Sequence, residues 1–292
     1  MSRRGWVLFI SMGLIWGVPY LLIKVAVDEL TPATLVFGRT ALGALILLPL
    51  AVARGQVRPL LPRWRPLVLF AAVEVAIPWW LLSSAEQHLT SSLTGLLLAA
   101  VPLVSAVLAV ATRSESLGVR RVVGLLVGIV GVAALVGLDV GGTDPWAFVQ
   151  MAGVAVGYAV GPYILTRHLS DLPGVGVVAA SLTLTAVVYL PLAIVQRPAH
   201  WPSAQVTGAV IGLAVLCTAI AFVVFFALID EVGPVRATVI TYINPAVAVA
   251  LGVLLLDEPL TSGILIGFGL VLVGSVLATR RAPATVPATT PG

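Results

Sequence analysis

Apolar residues occupy most of this 292-residue chain in long runs, and short polar segments separate the runs. An α-helix of about 20 residues crosses a hydrocarbon layer about 30 Å thick, and the runs have about this length. The runs lie at Gly5–Val25, Thr34–Ala53, Pro66–Ala85, Ser91–Ala111, Val119–Leu138, Pro145–Leu165, Gly174–Val195, Ala204–Ile229, Pro234–Leu256 and Thr261–Thr279. The pattern therefore predicts an all-α integral membrane protein with ten transmembrane helices.

The sequence also repeats itself at a spacing of 143 residues. The matching positions are Pro19-Tyr20 with Pro162-Tyr163, Pro102 with Pro245, Glu115-x-Leu117 with Glu258-x-Leu260, and Gly124 and Gly131 with Gly267 and Gly274. Each copy contains five apolar runs, an odd number, so the second copy must enter the membrane from the opposite side. We therefore predict two inverted five-helix repeats, residues 1–140 and residues 141–281, which is the build of many secondary transporters.

Composition agrees with this prediction. Apolar residues make up 60% of the chain and charged residues only 10%, which excludes an ordinary soluble globular protein. The predicted helices leave no room for a soluble domain. Residues 282–292 are rich in Pro, Ala and Thr, and we predict a disordered carboxyl-terminal tail there.

The net charge of +4 indicates orientation in a membrane rather than nucleic-acid binding. If the amino terminus is cytoplasmic, thirteen arginines fall on the cytoplasmic side and only Arg197 falls in an outer loop. The thirteen are Arg3, Arg4, Arg54, Arg58, Arg63, Arg65, Arg113, Arg120, Arg121, Arg167, Arg236, Arg280 and Arg281. Because cytoplasmic loops carry such an excess of positive charge, we predict that both termini are cytoplasmic. We predict no nucleic-acid partner.

The chain lacks the motifs of common enzyme classes. Its only lysine, Lys24, is followed by Val25, whereas a P-loop needs Lys next to Ser or Thr. The patterns H-E-x-x-H and G-x-S-x-G are absent, and the three histidines are not paired at metal-ligand spacing. We predict neither an enzyme nor a bound metal or cofactor, so any energy for transport must come from a gradient.

Three charged side chains lie well inside the apolar runs, namely Lys24, Arg39 and Glu74. A charge at the middle of a bilayer costs about 2.5–3.5 kcal/mol, so it normally faces a wet cavity or a partner of opposite sign. Lys24 either lines a transport path or extends to the lipid headgroups. Arg39 either lines the path or forms an ion pair with Asp28 or Glu29.

Glu74 lies near the middle of the third predicted helix, too deep to reach the headgroups. It either pairs with Lys24 or Arg39 across helices or is protonated in the apolar surroundings. A carboxyl that changes between these states can carry a proton during transport. The alternative is a structural hydrogen bond between buried helices.

Aromatic residues are concentrated at the same depth. Trp16, Tyr20 and Lys24 lie four residues apart and share one face of the first helix. Aromatic residues near helix ends usually form an interfacial belt, but several of these lie too deep for that explanation. The predicted substrate-binding residues are Trp16, Tyr20, Lys24, Arg39, Glu74, Trp79, Trp80, Tyr158, Tyr163, Tyr242 and Asn244.

Prolines inside the apolar runs each remove a backbone donor and bend the helix, and five of them are predicted as gating or kink residues. They are Pro19, Pro78, Pro102, Pro162 and Pro245. Four of them form repeat-related pairs, which predicts symmetric kinks on the first and sixth helices and on the fourth and ninth. Such kinks can gate a central path, and simple packing irregularity is the alternative.

Small residues form a stripe on the fifth and tenth predicted helices. The glycines of the stripe are Gly124, Gly128 and Gly131 on the fifth helix, and Gly263, Gly267 and Gly274 on the tenth. This pattern predicts close helix packing, either within the chain or between two chains. Glu115 and Glu258 precede these helices and are predicted as helix amino-terminal caps.

These residues together resemble the drug/metabolite transporter superfamily. The resemblance rests on the two five-helix copies, on Gly13-x-x-Trp16-Gly17, on Asn244-Pro245, and on Asp257-Glu258-Pro259-Leu260 before a glycine-rich helix. Within the superfamily the chain resembles the EamA-type bacterial exporters, in particular the YddG-like amino-acid exporters. The first copy departs from the pattern because Ser114-Glu115-Ser116 replaces the acidic-Pro run.

The resemblance implies ten helices around a central cavity in the bacterial inner membrane. It also implies export of amino acids or related small metabolites by alternating access, with that substrate and membrane lipid as partners. Aromatic walls suit amino acids with aromatic or other apolar side chains. Phosphorylated substrates would need more buried cations than Lys24 and Arg39 provide. The alternatives are a passive facilitator or channel, an exporter of other metabolites or drugs, and a membrane-embedded enzyme.

Overall fold

A computed structural model of the chain describes residues 1–112, 118–138 and 144–279. The regular secondary structure of these residues is helical throughout. Nine of the described helices are long and apolar enough to cross a membrane, and Val239–Leu255 is a shorter apolar helix. The prediction of an all-α membrane protein is therefore confirmed. The tail predicted at residues 282–292 and the cap predicted at Glu115 lie outside the described residues.

Ten helical stretches follow one another, and we number them in chain order. They are α1 (Arg3–Ala26), α2 (Pro32–Ala53), α3 (Arg58–Ala85), α4 (Ser91–Ala111), α5 (Val119–Leu138), α6 (Pro145–Leu169), α7 (Gly174–Val195), α8 (Ala204–Val232), α9 (residues 234–255) and α10 (Ser262–Thr279). The bounds of the two halves correspond at the spacing of the repeat. Adding 143 to the bounds of α2 gives residues 175–196, within one residue of α7.

Side-chain caps mark the start of several helices and explain why they begin where they do. In each case a hydroxyl or carboxylate oxygen accepts a hydrogen bond from a backbone N–H of the first turn, which would otherwise lack a partner. The capping residues are Ser2, Thr31, Thr90, Asp144 and Ser203. The polar segments between the apolar runs thus fix the helix boundaries.

Four of the five predicted kink prolines begin a helical segment after an interruption. Pro19, Pro78, Pro102 and Pro245 each occupy the first or second position of such a segment. Pro162 instead lies inside the continuous segment Pro145–Ile164. The interruption at Pro19 therefore has no counterpart at Pro162, whereas Pro102 and Pro245 both follow one.

The glycine stripes of α5 and α10 pack against each other within the chain. A Cβ on Gly124 would lie 2.8 Å from the Gly274 carbonyl oxygen, and one on Gly131 would lie 2.9 Å from the Gly267 carbonyl oxygen. Only glycine allows the two backbones to approach so closely. Contacts that move forward along α5 move backward along α10, so the two helices run antiparallel.

Two further pairs of repeat-related helices, α2 with α7 and α4 with α9, also run antiparallel. In both pairs, residues near the start of one helix contact residues near the end of the other. The contacts that establish the direction are Thr34 with Gln196 and Gln56 with Gly176 for α2 and α7, and Gly95 with Ala248 and Ser92 with Gly252 for α4 and α9. In these three pairs, the two helices that correspond by the repeat therefore run in opposite directions.

Large apolar side chains also cover the outside of the bundle. Leu45, Val195 and Leu254 are 71%, 82% and 74% exposed. An exposed apolar surface of this extent is typical of helices that contact lipid. The polar side chains that matter for function are consequently found between the helices.

Candidate functional site

Several of the predicted site residues come together between the two halves. We call this group the central cluster, and its members are Tyr20 of α1, Arg39 of α2, Glu74 and Trp79 of α3, Tyr158 of α6 and Thr218 of α8. Thr218 was not predicted from the sequence. The cluster draws on helices of both halves, so it forms only when the halves pack together.

Arg39 is the positive group of the central cluster and is only 7% exposed. Its guanidinium carbon lies 3.6 Å from the centroid of the Trp79 ring, and its Nε donates a 3.0 Å hydrogen bond to Thr218 Oγ1. A desolvated cation over an aromatic face gains about 2 kcal/mol or more. The two terminal nitrogens of Arg39 have no hydrogen-bond partner among the described residues. They are therefore free to bind an anionic group.

The ion pair considered for Arg39 with Asp28 or Glu29 is not formed. Glu29 instead accepts a 2.8 Å hydrogen bond from the Ser203 backbone N–H, and the hydrogen bonds with Ser203 lower the pKa of its carboxyl. Glu29 is an exposed loop residue, whereas Arg39 lies inside the bundle. The sequence places these groups near each other along the chain but does not show which way each side chain points.

Glu74 is the carboxyl group of the central cluster. A Cβ on Gly161 of α6 would overlap its carboxyl, so the Glu74 side chain occupies the space that this glycine leaves open. One carboxylate oxygen is buried without a hydrogen-bond partner. Neither of the ion pairs among the described residues involves Glu74. The pairing of Glu74 with Lys24 or Arg39 that the sequence left open is therefore not formed.

Two wide helical turns of the π type position the cluster. Ala71–Ala76 carries Glu74, and Val215–Ile220 carries Thr218, whose hydroxyl donates a 2.8 Å hydrogen bond to the Leu213 carbonyl. The two turns are related by the repeat, because adding 143 to the first gives residues 214–219. Such turns are rare and are frequent at functional sites. Nothing in the apolar pattern indicates them.

Aromatic side chains complete the central cluster. Tyr158 packs against both of the large apolar cores and lies within electrostatic reach of Glu74 and Arg39. Tyr20 lies close to Tyr158 and Arg39. The cluster thus combines a cation, a carboxyl and an aromatic wall, which together can hold a zwitterion with an apolar side chain.

Four predicted aromatic residues lie elsewhere. Trp16 contacts the Phe222 and Phe225 rings, with centroids 5.9 and 4.7 Å away. The hydroxyl of Tyr163 accepts a 2.8 Å hydrogen bond from Arg167, that of Tyr242 lies 3.2 Å from Thr279 Oγ1, and Trp80 is 38% exposed. The structure therefore does not bring these four side chains into the central cluster.

Asn244 connects the two halves without entering the cluster. With its amide nitrogen turned toward them, it donates to the Ile240 carbonyl at 3.0 Å and to the Gly13 carbonyl at 3.1 Å. The Gly13 carbonyl lies near the interruption of α1 at Trp16, and the Ile240 carbonyl also accepts a 2.9 Å hydrogen bond from the Ile243 backbone N–H. The contacts of Asn244 hold α9 against α1.

Lys24 lies at one end of the bundle, which we call the Glu86 end and define by Lys24, Glu86, Leu89, Ser91 and Glu258. Its Nζ donates to the backbone carbonyls of Glu86 at 2.8 Å and Leu89 at 2.9 Å. Lys24 therefore holds the connection between α3 and α4, and it does not extend to the headgroups as one alternative proposed. Burial raises the pKa of the Glu86 carboxyl well above its usual range, with Lys24 opposing the shift.

Glu258 caps a helix of the other half. Its carboxylate accepts hydrogen bonds from the Ser91 backbone N–H at 2.7 Å and from the Ser92 backbone N–H at 2.9 Å, at the start of α4. The sequence predicted a cap on the helix that follows, but Thr261 caps α10 instead, accepting from Ile264 at 3.1 Å. The chain reverses direction before α10 at Asp257, whose φ is 52°, and this reversal directs Glu258 toward α4.

A cavity of about 380 Å³ lies at the opposite end of the bundle, between the α2–α3 connection, the start of α7 and α8. Arg54 and Asp230 line it together with Phe226. Asp230, Phe226, Phe222 and Thr218 follow one another at four-residue spacing along one face of α8. This face leads from the cavity to the central cluster.

Known proteins with similar sequences cover more than nine tenths of the chain. The uncharacterized transporter YvbV of Bacillus subtilis is 24% identical, over 97% of this chain and 94% of its own length. The uncharacterized inner membrane transporter YedA of Escherichia coli K12 is 28% identical over 92% and 88%. A probable terminal-alkyne amino-acid exporter of Streptantibioticus cattleyicolor is 27% identical over 96% and 95%.

A solved structure and a protein family also match the chain. A solved crystal structure that is 22% identical superposes with a TM-score of 0.67 and covers 96% of this chain and 97% of its own. The EamA-like transporter family matches the chain twice, at residues 3–137 and 145–280. The resemblance drawn from the sequence is therefore confirmed, and the chain belongs to the EamA-like transporter family of the drug/metabolite transporter superfamily.

Proposed function

We propose that the chain is a secondary transporter of two inverted repeats that exports amino acids with apolar or aromatic side chains by alternating access. One observation carries the proposal. Arg39 and Glu74 bring a cation and a carboxyl group into one buried cluster, and they form no ion pair with each other. Because buried charges are costly without partners, a ligand that supplies both missing charges is the simplest reason for this arrangement.

The inverted repeat is supported by three observations. Three of the five pairs of equivalent helices run antiparallel, the helix bounds of the halves correspond, and the family matches each half separately. The excess of arginines on one side of the membrane supports a cytoplasmic location of both termini and of the cavity beside Arg54. The Glu86 end becomes the outer end.

The arrangement of the central cluster defines a binding mode. The substrate carboxylate binds the terminal nitrogens of Arg39, and the substrate ammonium binds the Glu74 carboxyl. The side chain of the substrate packs on Trp79 and Tyr158, where stacking and apolar contact favour aromatic and aliphatic groups. The similarity to the probable terminal-alkyne amino-acid exporter of Streptantibioticus cattleyicolor supports amino acids as the substrate class.

The difference between the two ends of the bundle supports alternating access. The cavity beside Phe226 leads toward the cluster from the cytoplasmic side, while Lys24 and Glu258 hold the outer end together. The structure then corresponds to the state that takes up substrate from the cytoplasm. The other state requires the contacts of Lys24 and Glu258 to break while α8 closes over the cavity.

The test is transport by purified protein in liposomes with a panel of labelled amino acids. We expect saturable uptake and counterflow of aromatic and branched amino acids, and loss of both in Arg39→Gln. Arg39→Lys retains the charge but loses the planar group that stacks on Trp79. We therefore expect KM to rise at least about 30-fold, which corresponds to a loss of about 2 kcal/mol of binding free energy. Arg65→Gln, an exposed arginine of α3, serves as the control. Uptake without counterflow would instead support a passive channel, and unchanged kinetics in Arg39→Gln would refute the binding mode.

A further inference from the structure

Glu86 is the most deeply buried carboxyl at the outer end, and the proposed binding mode does not use it. It follows the last residue of α3 and is 0% exposed. Both of its carboxylate oxygens are buried, and neither has a hydrogen-bond partner among the described residues. A buried ionised carboxylate without donors is costly, because it loses its hydration and gains nothing in exchange.

The neighbours of Glu86 do not neutralise it. Lys24 is the nearest cation, but its ammonium donates to backbone carbonyls, including that of Glu86 itself. Glu258 faces Glu86 from the α9–α10 connection with a carboxylate that already holds the start of α4. Arg39 of α2 and Tyr20 of α1 are the remaining titratable groups within electrostatic reach of Glu86. Neither Arg39 nor Lys24, whose ammonium uses two of its three N–H donors on backbone carbonyls, forms an ion pair with Glu86 among the described residues.

We infer that Glu86 is a proton-binding site and that the outer end closes only when this carboxyl has bound a proton. The inference rests on the proposed function, because that proposal makes the Glu86 end the outer end. When the contacts of Lys24 and Glu258 break, water reaches Glu86, and the carboxyl ionises. Closing the outer end therefore takes up one proton from the outside.

The sign of the pH dependence follows from this linkage. The closed form binds the proton more tightly than the open form, so acid outside favours the closed outer end. The hydrated carboxyl of the open form has a pKa of about 4.3, and the buried carboxyl of the closed form has a higher one. As the external pH rises through the range between these two pKa values, the population of the open form increases. For one proton the ratio of open to closed changes by at most about tenfold per pH unit.

The experiment uses a single reporter cysteine. Cys217 is the only native cysteine and is buried, and it is replaced by alanine. Ser91→Cys then places a thiol of nearly the same size at a position that is 0% exposed beside Glu258, where the native hydroxyl has no partner. Labelling by a membrane-impermeant maleimide is followed in liposomes against external pH. Gln87→Cys, exposed in the same connection, corrects for the reactivity of the thiol itself.

We expect corrected labelling at Ser91→Cys to rise with pH, by up to about tenfold per unit. Glu86→Gln removes the proton-binding carboxyl, so labelling should stay low at every pH. Glu86→Asp retains a carboxyl, so its labelling should still rise with pH. Glu86→Met introduces an apolar side chain of similar size and should behave like Glu86→Gln. It serves as the test if the buried amide of Glu86→Gln prevents folding. The controls Asp28→Asn and His88→Gln replace exposed titratable groups at the same end and should keep the dependence.

Three results would overturn the inference. These are labelling that does not vary with pH in the parent protein, an unchanged pH dependence in both Glu86→Gln and Glu86→Met, and a dependence that sodium ions reproduce at constant pH. Labelling requires no transported substrate. Failure of the amino-acid panel would therefore refute the proposed function while leaving this measurement intact, and failure here with normal transport would refute only the inference.

Discussion

Substitution of Gly161 by alanine tests the position of Glu74 without changing any charge. The added Cβ would lie 2.9 Å from the Cδ atom of Glu74 and 3.0 Å from its Cβ, and it would overlap one carboxylate oxygen. Ordinary contacts begin at 3.4 Å, so the Glu74 side chain must leave its place beside α6. Overpacking of this kind costs about 1–3 kcal/mol of stability.

The effect on transport should exceed the effect on stability. Displacing a binding group by roughly 1 Å can reduce function by up to about 100-fold, and losing one partner of a buried charge pair costs about 2 kcal/mol or more. We therefore expect KM for the preferred amino acid in Gly161→Ala to rise at least about 30-fold, as in Glu74→Gln. Proteoliposome uptake measures KM, and thermal unfolding in detergent measures stability.

The matched control is Gly269→Ala on α10, where an added Cβ has no atom within 4 Å. This variant should transport and unfold like the parent. If Gly161→Ala transports with the parent KM, or if it loses transport only in proportion to folded protein, the role assigned to Glu74 is refuted.

Two further predictions concern the frame around the site. In Gly274→Ala a Cβ would lie 2.5 Å from the Gly128 Cα atom, so we expect α5 and α10 to separate. The protein should lose about 1–3 kcal/mol of stability, which lowers its unfolding temperature in detergent. Gly269→Ala on the same helix should not change the unfolding temperature. In Lys24→Met the carbonyls of Glu86 and Leu89 lose their donor, so maleimide labelling of Ser91→Cys should rise several-fold at acid pH while the variant still folds. Equal unfolding temperatures of the two glycine variants, or unchanged labelling in Lys24→Met, would contradict the packing described.

The helices and the close packing along the glycine stripes could be predicted from the sequence because both depend on simple patterns, whereas the sequence left open whether that packing lies within the chain or between two chains. Apolar runs of membrane-spanning length specify the helices, and glycines at four- and seven-residue spacing specify where two helices approach closely. The repeat of 143 residues likewise identified the correspondence between halves that the helix bounds reproduce. These signals are local or strictly periodic, so one sequence is sufficient to detect them.

The partners of the charged residues could not be predicted, because they lie on other helices. Arg39 stacks on Trp79, 40 positions further along the chain, and bonds to Thr218 in the other half. Glu258 caps α4 rather than α10 because the chain reverses at Asp257. Glu86 resembles an exposed loop residue in the sequence, and only the packing of Lys24 and Glu258 around it reveals that it is buried.

The central claim is that Arg39 binds the carboxylate of an amino acid and Glu74 binds its ammonium. The most direct measurement compares three competitors of labelled uptake in proteoliposomes, namely the preferred amino acid, its amide and its N-acetyl derivative. We predict that the amide, which lacks the carboxylate, and the N-acetyl form, which lacks the ammonium, each compete at least about 30-fold more weakly than the free amino acid. We also predict that Glu74→Gln selectively loses the discrimination against the N-acetyl form. Equal competition by all three compounds would contradict the account.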